Sequence, residues 1–483
     1  MEGARGVLLI NGVLVVLLGL AMLAPMLVDL AYGHRDYLVF LSSAAVTVFA
    51  GGAVVTATFS RGLQLDMRQA FILTTSVWLV LPAFAALPFL LCELKLSYTD
   101  AFFEAMSGLT TTGSTVIVGL DRAPPGILIW RAILQWLGGV GIIVTAIAVL
   151  PLLRVGGMQL FRMESSEQSD KALPRAAQIA AATAVAYLIL SIACAGALWF
   201  AGLSAFDAIA HAMTTVATGG FSTSDSSVGG FANAAAEWII ILFMIAGSLP
   251  FILYLQAVRG RPAAFWRDTQ VRWFLATIAG ATALVLLLSG VRGLAGGELE
   301  AVRLSAFNTI SIITGTGYAS DDYGGWGRAV IVLFFFYTFI GGCAGSTSCG
   351  IKIFRFRVMF ESARVQIHQL IQPNAVMVPR FNGRPLETHV IDAVMSFFFL
   401  FAMVFGVLAF LLTLTGLDMT TALSGAATAI SNVGPGLGDI IGPAGTFKPL
   451  PDSAKWLLSA GMLLGRLELF TVLVLFTRRF WRT

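Results

Sequence analysis

Four short segments of this sequence each centre on a glycine and could coordinate a cation through the backbone. The glycines are Gly113, Gly220, Gly317 and Gly434, in the local sequences TTGS, TGGF, GTGY and NVGP. Because glycine adopts backbone angles that a Cβ obstructs, such a segment can run extended with its carbonyl oxygens turned inward. Rings of carbonyls replace the hydration shell of potassium in channels whose TVGYG loop also places glycine beside an aromatic residue. The segments therefore predict a filter for a monovalent cation, with potassium favoured.

The residues around the four glycines recur in register, which indicates a fourfold internal repeat. Each copy has an aliphatic residue four positions before the glycine and small residues three and twelve positions before it. Membrane helices are also rich in small residues for packing, but packing does not explain four clusters in one frame. A hydroxyl residue stands six positions before each glycine, at Ser107, Thr214, Ser311 and Thr428.

The composition indicates that the elements holding these segments lie in a membrane. Of the 483 residues, 57% are hydrophobic and only 12% are charged, whereas soluble domains carry about 25% charged residues. The four cysteines have neither zinc-site spacing nor the pattern of a disulfide framework. We therefore expect an integral membrane protein without a zinc site or other cofactor.

Ten windows are long and apolar enough to span a bilayer, which takes about 20 residues. They are 7–30, 38–59, 69–92, 127–153, 177–202, 234–257, 272–291, 328–351, 389–416 and 456–477. Shorter, semi-polar stretches lead into the glycine segments, and each is predicted to enter the membrane as a helix and return as a loop. These stretches are 99–112, 205–217, 304–315 and 419–431.

The distribution of basic residues orients these spans. Most of the 30 Lys and Arg residues fall on the side shared by both termini, which predicts cytoplasmic termini. All four semi-polar stretches then lie on the outer side, where they can meet at a single pore. We expect an all-α integral membrane fold with four helix–pore-loop–helix units around that pore. The predicted divisions are an N-terminal helix pair at 1–62, then repeats at 63–165, 166–265, 266–375 and 376–483.

The motifs around the glycines resemble those of the Trk/Ktr/HKT superfamily of potassium transporters, and most closely its bacterial TrkH/TrkG membrane subunits. They are TTTGST at 110–115, ATGGFSTSD at 217–225, TGTGYASDD at 314–322, GGCAGSTSCGIK at 341–352 and ISNVGPGLGD at 430–439. The resemblance implies a potassium filter lined at Thr111, Thr112, Gly113, Thr218, Gly219, Gly220, Gly315, Thr316, Gly317, Asn432, Val433 and Gly434. It also implies that glycine at position 113 favours potassium over sodium.

The same resemblance implies a gate beneath the filter, where the second helix of repeat 3 is broken. The predicted gate residues are Gly341, Gly342, Gly345, Ser346, Thr347, Ser348, Gly350, Lys352 and Arg466. Composition agrees, because each glycine disfavours a helix by roughly 1 kcal/mol; a simple packing kink is the alternative. Arg466 would be a barrier to cations or a structural partner of Glu468, and Lys352 a gate element or a cytoplasmic anchor.

Further polar residues near the glycines have two interpretations each. Glu104, His211 and Asn308 stand nine residues before their glycines and are interpreted as anchors of the short helices. Acidic residues beyond the glycines would either concentrate cations at the outer mouth or be ordinary solvated loop charges. These are Asp121, Asp225, Asp321, Asp322 and Asp439.

The function favoured at this level is potassium uptake through a gated, channel-like pore in a bacterial cytoplasmic membrane. A proton- or sodium-coupled potassium symporter is the alternative, although such transporters usually need carboxylates within the spans. No enzyme motif appears in the sequence, and no nucleic-acid partner is expected. The resemblance further implies a homodimer and a cytoplasmic nucleotide-binding regulatory subunit, as in TrkA-dependent systems.

Overall fold

Apolar helices in a long–short–long order repeat four times along the chain. The computed structural model describes residues 2–59, 66–148, 172–289, 296–374 and 377–482. Three of the predicted domain boundaries, at 62/63, 165/166 and 375/376, lie outside these residues. The fourth, at 265/266, falls within the short helix Ala264–Arg267.

An N-terminal helix pair precedes the repeats, as predicted. It is formed by Glu2–Ala21, which continues as Leu23–Ala31, and by Tyr37–Thr58. Glycines bring the two helices close together, because a Cβ at Gly19 would lie against Val48 and one at Gly51 against the carbonyl oxygen of Gly12. Small residues at a helix interface allow this backbone approach in a membrane.

The first helices of the repeats are long and expose large apolar side chains. Phe399, for example, is 72% exposed, as expected for a surface that faces lipid. The first helices are Met67–Ala85 with its continuation Leu87–Leu91, then Ala172–Phe200, Thr269–Leu288 and Thr388–Leu414.

The second member of each repeat is a short helix that lies in the buried centre of the molecule. These helices, called short helices 1 to 4, are Tyr98–Leu109, Ala205–Val216, Glu298–Thr314 and Met419–Ser431. They match the four predicted semi-polar stretches. Ser97, Ser204 and Asp418 cap three of them by accepting a backbone N–H of the first turn, which satisfies an orphan donor there.

The second long helices differ from one another. Repeat 1 has Pro125–Ala148, and repeat 2 has Ala234–Gly247 followed by Phe251–Val258. Repeat 3 has Arg328–Tyr337, then an irregular stretch, then Ile353–Ile371. Repeat 4 has Asp452–Arg466 followed by Phe470–Leu473.

Two of these helices correct the sequence prediction, which expected a break in repeat 3 alone. The helix in repeat 2 bends by 93° and the helix in repeat 4 by 106°. In repeat 2 the bend contains Pro250, which has no N–H to continue a helix. In repeat 4 Glu468 and Leu469 both have φ of 57°, a left-handed conformation that ends a helix. Within the described residues, seven helices can cross a membrane by length and composition, or nine if each bent pair counts once.

Smaller elements complete the described chain. Gly438–Ile441 and Arg478–Arg482 each form about one turn of helix. The 3₁₀ turns are Leu120–Arg122, Ser227–Phe231, Tyr323–Gly325 and Val474–Phe476. Two short strands, Arg380–Phe381 and Arg384–Pro385, pair antiparallel in the connection before repeat 4.

Candidate functional site

The four glycine segments, residues 110–114, 217–221, 314–318 and 431–435, share one backbone conformation despite their different sequences. In each, the residue before the glycine donates its N–H to the carbonyl five positions earlier, at the end of the short helix. These bonds are Thr112–Ser107 and Gly219–Thr214 at 2.8 Å, Thr316–Ser311 at 2.9 Å and Val433–Thr428 at 3.1 Å. The predicted repeat is therefore present in the backbone geometry as well as in the sequence.

Two left-handed positions recur in every segment. The glycines have φ of 87°, 79°, 82° and 110° at Gly113, Gly220, Gly317 and Gly434. Two positions earlier, φ is 51°, 50°, 74° and 53° at Thr111, Thr218, Gly315 and Asn432. Residues with a Cβ rarely adopt this conformation, so its recurrence indicates a shape that the surrounding protein enforces.

The four segments close into a ring. A Cβ at Gly113 would overlap the carbonyl oxygen of Gly219, and one at Gly220 would overlap that of Thr316. A Cβ at Gly317 would overlap the carbonyl oxygen of Val433. A Cβ at Gly434 would lie 2.7 Å from that of Thr112 in the first segment. Each glycine thus faces the next repeat in the order 1–2–3–4–1, and a residue with a Cβ at this approach would force the neighbouring segment to shift.

The polar residues nine positions before three of the glycines, which were interpreted as anchors of the short helices, contact the chain just beyond the ring. Glu104 accepts the N–H of Val116 at 2.9 Å, and Asn308 donates to Ser320 Oγ at 2.9 Å. His211 Nε2 lies 3.0 Å from Ser222 Oγ. The fourth repeat has Gly425 at this position, and its neighbour Ser424 instead accepts the N–H of Leu437 at 2.9 Å.

Sequence reasoning missed two residues that hold the second segment. Arg131 forms a buried ion pair with Glu104 at 2.7 Å and donates to the carbonyl of Ser222 at 2.7 Å. Gln135 donates to the carbonyl of Gly219 at 2.6 Å and accepts the N–H of Phe221 at 3.0 Å. The signal was available, because these are two polar residues at i and i+4 in an otherwise apolar helix.

Asn432 joins the first and last repeats where the ring closes. Its Nδ2 donates to Thr112 Oγ1 and to the carbonyl of Met462, both at 2.9 Å. Beside it, Ser114 Oγ donates to the carbonyl of Gly434 at 2.8 Å. The first and fourth segments are therefore tied together by side chains as well as by the approach of their backbones.

The predicted break in repeat 3 is a buried, non-helical loop, here called the 341–350 loop. Its two ends meet, because the N–H of Gly341 donates to the carbonyl of Ile351 at 2.9 Å. A Cβ at Gly341 would overlap the carbonyl of Cys349, and Gly345 and Gly350 have φ of 74° and 69°. The glycines are thus required by the loop conformation, which contradicts the alternative of a simple kink.

Arg466 lies against this loop. It is 2% exposed and donates from Nη1 to the carbonyl of Thr347 at 3.3 Å and to Cys349 Sγ. Its Nη2 donates to the carbonyl of Gly138 at 3.0 Å. Arg466 is the last residue of its helix, whereas the predicted span 456–477 was unbroken and placed it near the middle.

Two further charged residues, Glu468 and Lys352, lie beside the loop. Glu468 pairs with Arg355, so the suggested ion pair between Arg466 and Glu468 is wrong. Lys352 is only 7% exposed and donates to the carbonyl of Ser348, so it contacts the loop instead of anchoring at the surface. A cavity lies beside the loop and is lined in part by Lys352, Arg466 and Glu468.

A metal ion could also be held by a cluster of side chains instead of by backbone carbonyls. Over the described ranges, no group of three His, Cys, Asp or Glu residues could hold a metal ion. The approaches in the ring bring backbone carbonyl oxygens together instead, and backbone carbonyls are the groups that replace water around potassium in channel filters.

Comparison with known proteins shows the family of this chain. The family model of TrkH, described as a cation transport protein, matches residues 38–482. The chain is 47% identical to the Trk system potassium uptake protein TrkI of Halomonas elongata, covering 99% of this chain and 96% of that protein. It is 39% identical to TrkH of Escherichia coli K12, covering 99% of each.

A solved structure extends the agreement to three dimensions. The crystal structure of the potassium transporter TrkH from Vibrio parahaemolyticus superposes with a TM-score of 0.91 at 38% identity, covering 99% of both chains. The sequence match and the shared fold span the four glycine segments and the loop that contacts them. This chain belongs to the TrkH family of cation transport proteins.

Proposed function

We propose that this protein takes up potassium across the bacterial cytoplasmic membrane through a gated, channel-like pore filtered by the ring of glycine segments. The observation that carries the proposal is the closure of the ring, in which each glycine faces a carbonyl of the next repeat. The relatives that match over their full length are named as potassium uptake proteins. A closed ring of backbone oxygens is the arrangement that replaces water around a potassium ion.

We assign potassium coordination to backbone carbonyls on and beside the four glycines. Each carbonyl has two lone pairs, so Gly219 keeps one for an ion while Gln135 uses the other. The short helices end at the segments, and the negative ends of their dipoles therefore favour a cation there. The proposed coordinating residues are Thr112, Gly113, Gly219, Gly220, Thr316, Gly317, Val433 and Gly434, with Thr111, Thr218, Gly315 and Asn432 shaping the segments.

We propose that the 341–350 loop is the gate, with Arg466 and Lys352 as its charged elements. The loop residues with this role are Gly341, Gly342, Gly345, Ser346, Thr347 and Gly350. A buried guanidinium repels an approaching cation, and low local polarity strengthens that repulsion. Because the loop carries its own hydrogen bonds, it can undock as a unit instead of unfolding a whole helix.

An ion-coupled symporter is the alternative within the same family. Coupling to protons requires a carboxylate that can bind and release a proton during transport. Two buried carboxylates, Glu104 and Glu468, are held by arginine, Glu104 by Arg131 and Glu468 by Arg355, which favours the channel-like interpretation. In liposomes, potassium flux that follows the potassium gradient alone supports a channel, and flux that stops when the proton gradient is clamped supports coupling.

The working assembly is also a proposal. We expect a homodimer with cytoplasmic termini that binds a TrkA-like nucleotide-binding subunit. The basic inner segments 259–272 and 352–384 are candidate docking surfaces for that subunit, since they carry several arginines. Copurification of a tagged chain with an untagged copy and with the regulatory subunit tests this arrangement.

The experiment that tests the filter is rescue of potassium-dependent growth by Gly113→Ser. A serine there would have to hold φ near 87° and place its Cβ against the carbonyl of Gly219. We expect rescue with weaker discrimination against sodium. Gly196→Ser is the matched control, because a Cβ at Gly196 meets no described atom within 4 Å. Selectivity unchanged from the control would contradict the assignment of the filter.

A further inference from the structure

The 341–350 loop docks on the bend in the second helix of repeat 2. The N–H of Thr347 donates to the carbonyl of Gly247 at 3.2 Å, and the N–H of Cys343 donates to that of Ser248 at 3.0 Å. In return, the N–H of Phe251 donates to the carbonyl of Gly345 at 2.9 Å. The bend exposes carbonyls and an N–H that a continuous helix would satisfy internally. The bend, which sequence reasoning missed, is thus the seat of the loop.

The side chain of Thr347 extends this contact to the second glycine segment. Its Oγ1 lies 2.9 Å from the carbonyl oxygen of Gly247 and 3.0 Å from that of Val216, the last residue of short helix 2. It also accepts a hydrogen bond from Thr218 Oγ1 at 3.3 Å. Thr347 and Thr218 are both fully buried, so water does not compete for these bonds.

The backbone conformation of Thr218 depends on its surroundings, which include Thr347. It holds φ of 50° two positions before Gly220, a conformation that a β-branched residue keeps only when its surroundings enforce it. Its own hydroxyl bonds are to Thr347 and to the carbonyl of Ala217 at 2.8 Å. Movement of the loop therefore removes a contact that helps to fix the second segment.

The equivalent positions in the other repeats make different contacts. Thr111 approaches the loop through Cys349 Sγ at 3.9 Å, and Gly315 has no side chain. Asn432 bonds to Thr112 and to the carbonyl of Met462. Among the described residues, the contact between a loop hydroxyl and a ring hydroxyl thus belongs to repeat 2.

We propose that Thr347 is a positioning residue that couples the loop to the second glycine segment, so that gate position and ion discrimination depend on each other. This inference rests on the proposed function, since it needs the ring to be the filter and the loop to be the gate. With the loop docked, Thr347 holds Val216 and Thr218 in place. With the loop displaced, the segment relaxes and its carbonyls fit potassium less closely.

The test uses the full-length protein purified into liposomes, with rubidium and sodium fluxes measured separately. Thr347→Val removes the hydroxyl at nearly constant volume, and Thr347→Ser keeps it. We expect Thr347→Val to raise flux by about 5- to 30-fold, the effect of losing one or two hydrogen bonds, and to lower the ratio of rubidium to sodium flux. Thr347→Ser should behave like the wild type.

Thr183→Val is the matched control. Thr183 is also fully buried, but its hydroxyl donates to Ile179 within its own helix at 2.7 Å. If Thr347→Val has the flux and selectivity of Thr183→Val, the coupling is wrong. Thr218→Val gives a second route if Thr347→Val does not fold. It should lower selectivity in the same way, and an unchanged ratio would overturn the proposal.

The outcomes separate this inference from the proposed function. If the wild type does not discriminate rubidium from sodium, or if Gly113→Ser leaves discrimination unchanged, the filter assignment fails first. If the wild type discriminates and Gly113→Ser weakens that discrimination, the filter stands. A silent Thr347→Val then rejects the coupling alone.

Discussion

The ring of glycine segments keeps the fourfold repeat, whereas the second long helices of the repeats do not. In the ring, four different sequences adopt one backbone, with the same hydrogen bond and the same left-handed positions in each repeat. Among the second helices, one is continuous over Pro125–Ala148, one bends after Gly247, one opens into a loop after Tyr337 and one breaks after Arg466. The fourfold symmetry is kept in the ring that we propose as the filter, and it is lost in the helices around the loop that we propose as the gate.

The three interruptions of the second helices meet at one place. The bend of repeat 2 seats the 341–350 loop of repeat 3, and Arg466 at the break of repeat 4 donates to the carbonyl of Thr347 in that loop. Helix breaks free backbone groups and therefore need partners in a membrane. Here the loop of repeat 3 bonds to the bend of repeat 2 and to Arg466 of repeat 4. The three interrupted helices are therefore joined to one another.

We expect the largest effect from a substitution in the ring of glycine segments. Gly317→Ala places a Cβ against the carbonyl of Val433 while φ stays at 82°. Overpacking and a left-handed alanine together cost about 3 kcal/mol, and each 1.4 kcal/mol is about tenfold. We expect potassium uptake to fall by about 100-fold or more, measured as rubidium uptake in a potassium-uptake-deficient strain.

Gly406→Ala is the control for this substitution, because a Cβ at Gly406 meets nothing within 4 Å in the described part of the chain. It lies in the lipid-exposed helix Thr388–Leu414 and should leave uptake unchanged. If Gly317→Ala is expressed at the control level and transports normally, the ring does not need its close approach, and the contrast between the two regions loses its basis.

We expect an intermediate effect from a substitution at the loop, in the region that lacks the fourfold symmetry. Arg466→Gln removes the buried charge and weakens the bonds to Thr347, Cys349 and Gly138. Because these contacts hold the loop, we expect flux through the purified chain alone to rise by about 5- to 30-fold and selectivity to change less than in Gly113→Ser. Liposome flux of the purified chain measures both quantities.

Arg478→Gln removes an arginine that is exposed at the C-terminal end, and it controls for loss of charge alone. Lower flux in a well-folded Arg466→Gln protein would contradict the barrier role of Arg466. Arg466 and its loop would then support conduction, as the ring is proposed to do, and the division into filter and gate would fail.

The sequence predicted the symmetric region better than the asymmetric one, for a physical reason. Glycines at 113, 220, 317 and 434 mark the ring in the sequence because a Cβ there would meet the next segment. Gly341 marks the loop through a close approach, and Gly345 and Gly350 mark it through a left-handed φ. The break after Arg466 has no such mark, since Glu468 and Leu469 take left-handed angles that only their surroundings explain. The pairing of Glu468 with Arg355 joins residues far apart in the chain, and no local spacing predicts it.

The smallest expected effect concerns the acidic residues that follow the glycine segments in the sequence, which we expected at an outer mouth of the pore. Asp225 accepts the N–H of Gly119 at 3.0 Å, and Asp321 accepts Trp326 Nε1 at 2.8 Å, so these carboxylates hold loops. Asp439 is exposed at the start of a short helix. Its charge acts on cations through solvent, where screening is strong.

We therefore expect Asp439→Asn to change the apparent affinity for potassium by less than about twofold in low-salt buffer, and the change to vanish near physiological ionic strength. Asp225→Asn removes a charge but keeps an oxygen that can accept the Gly119 N–H, so it should match Asp439→Asn. Asp225→Ala also loses the acceptor and should reduce thermal stability. A large, salt-independent loss of affinity in Asp439→Asn would instead indicate a direct ion contact at Asp439, outside the ring that we propose as the filter.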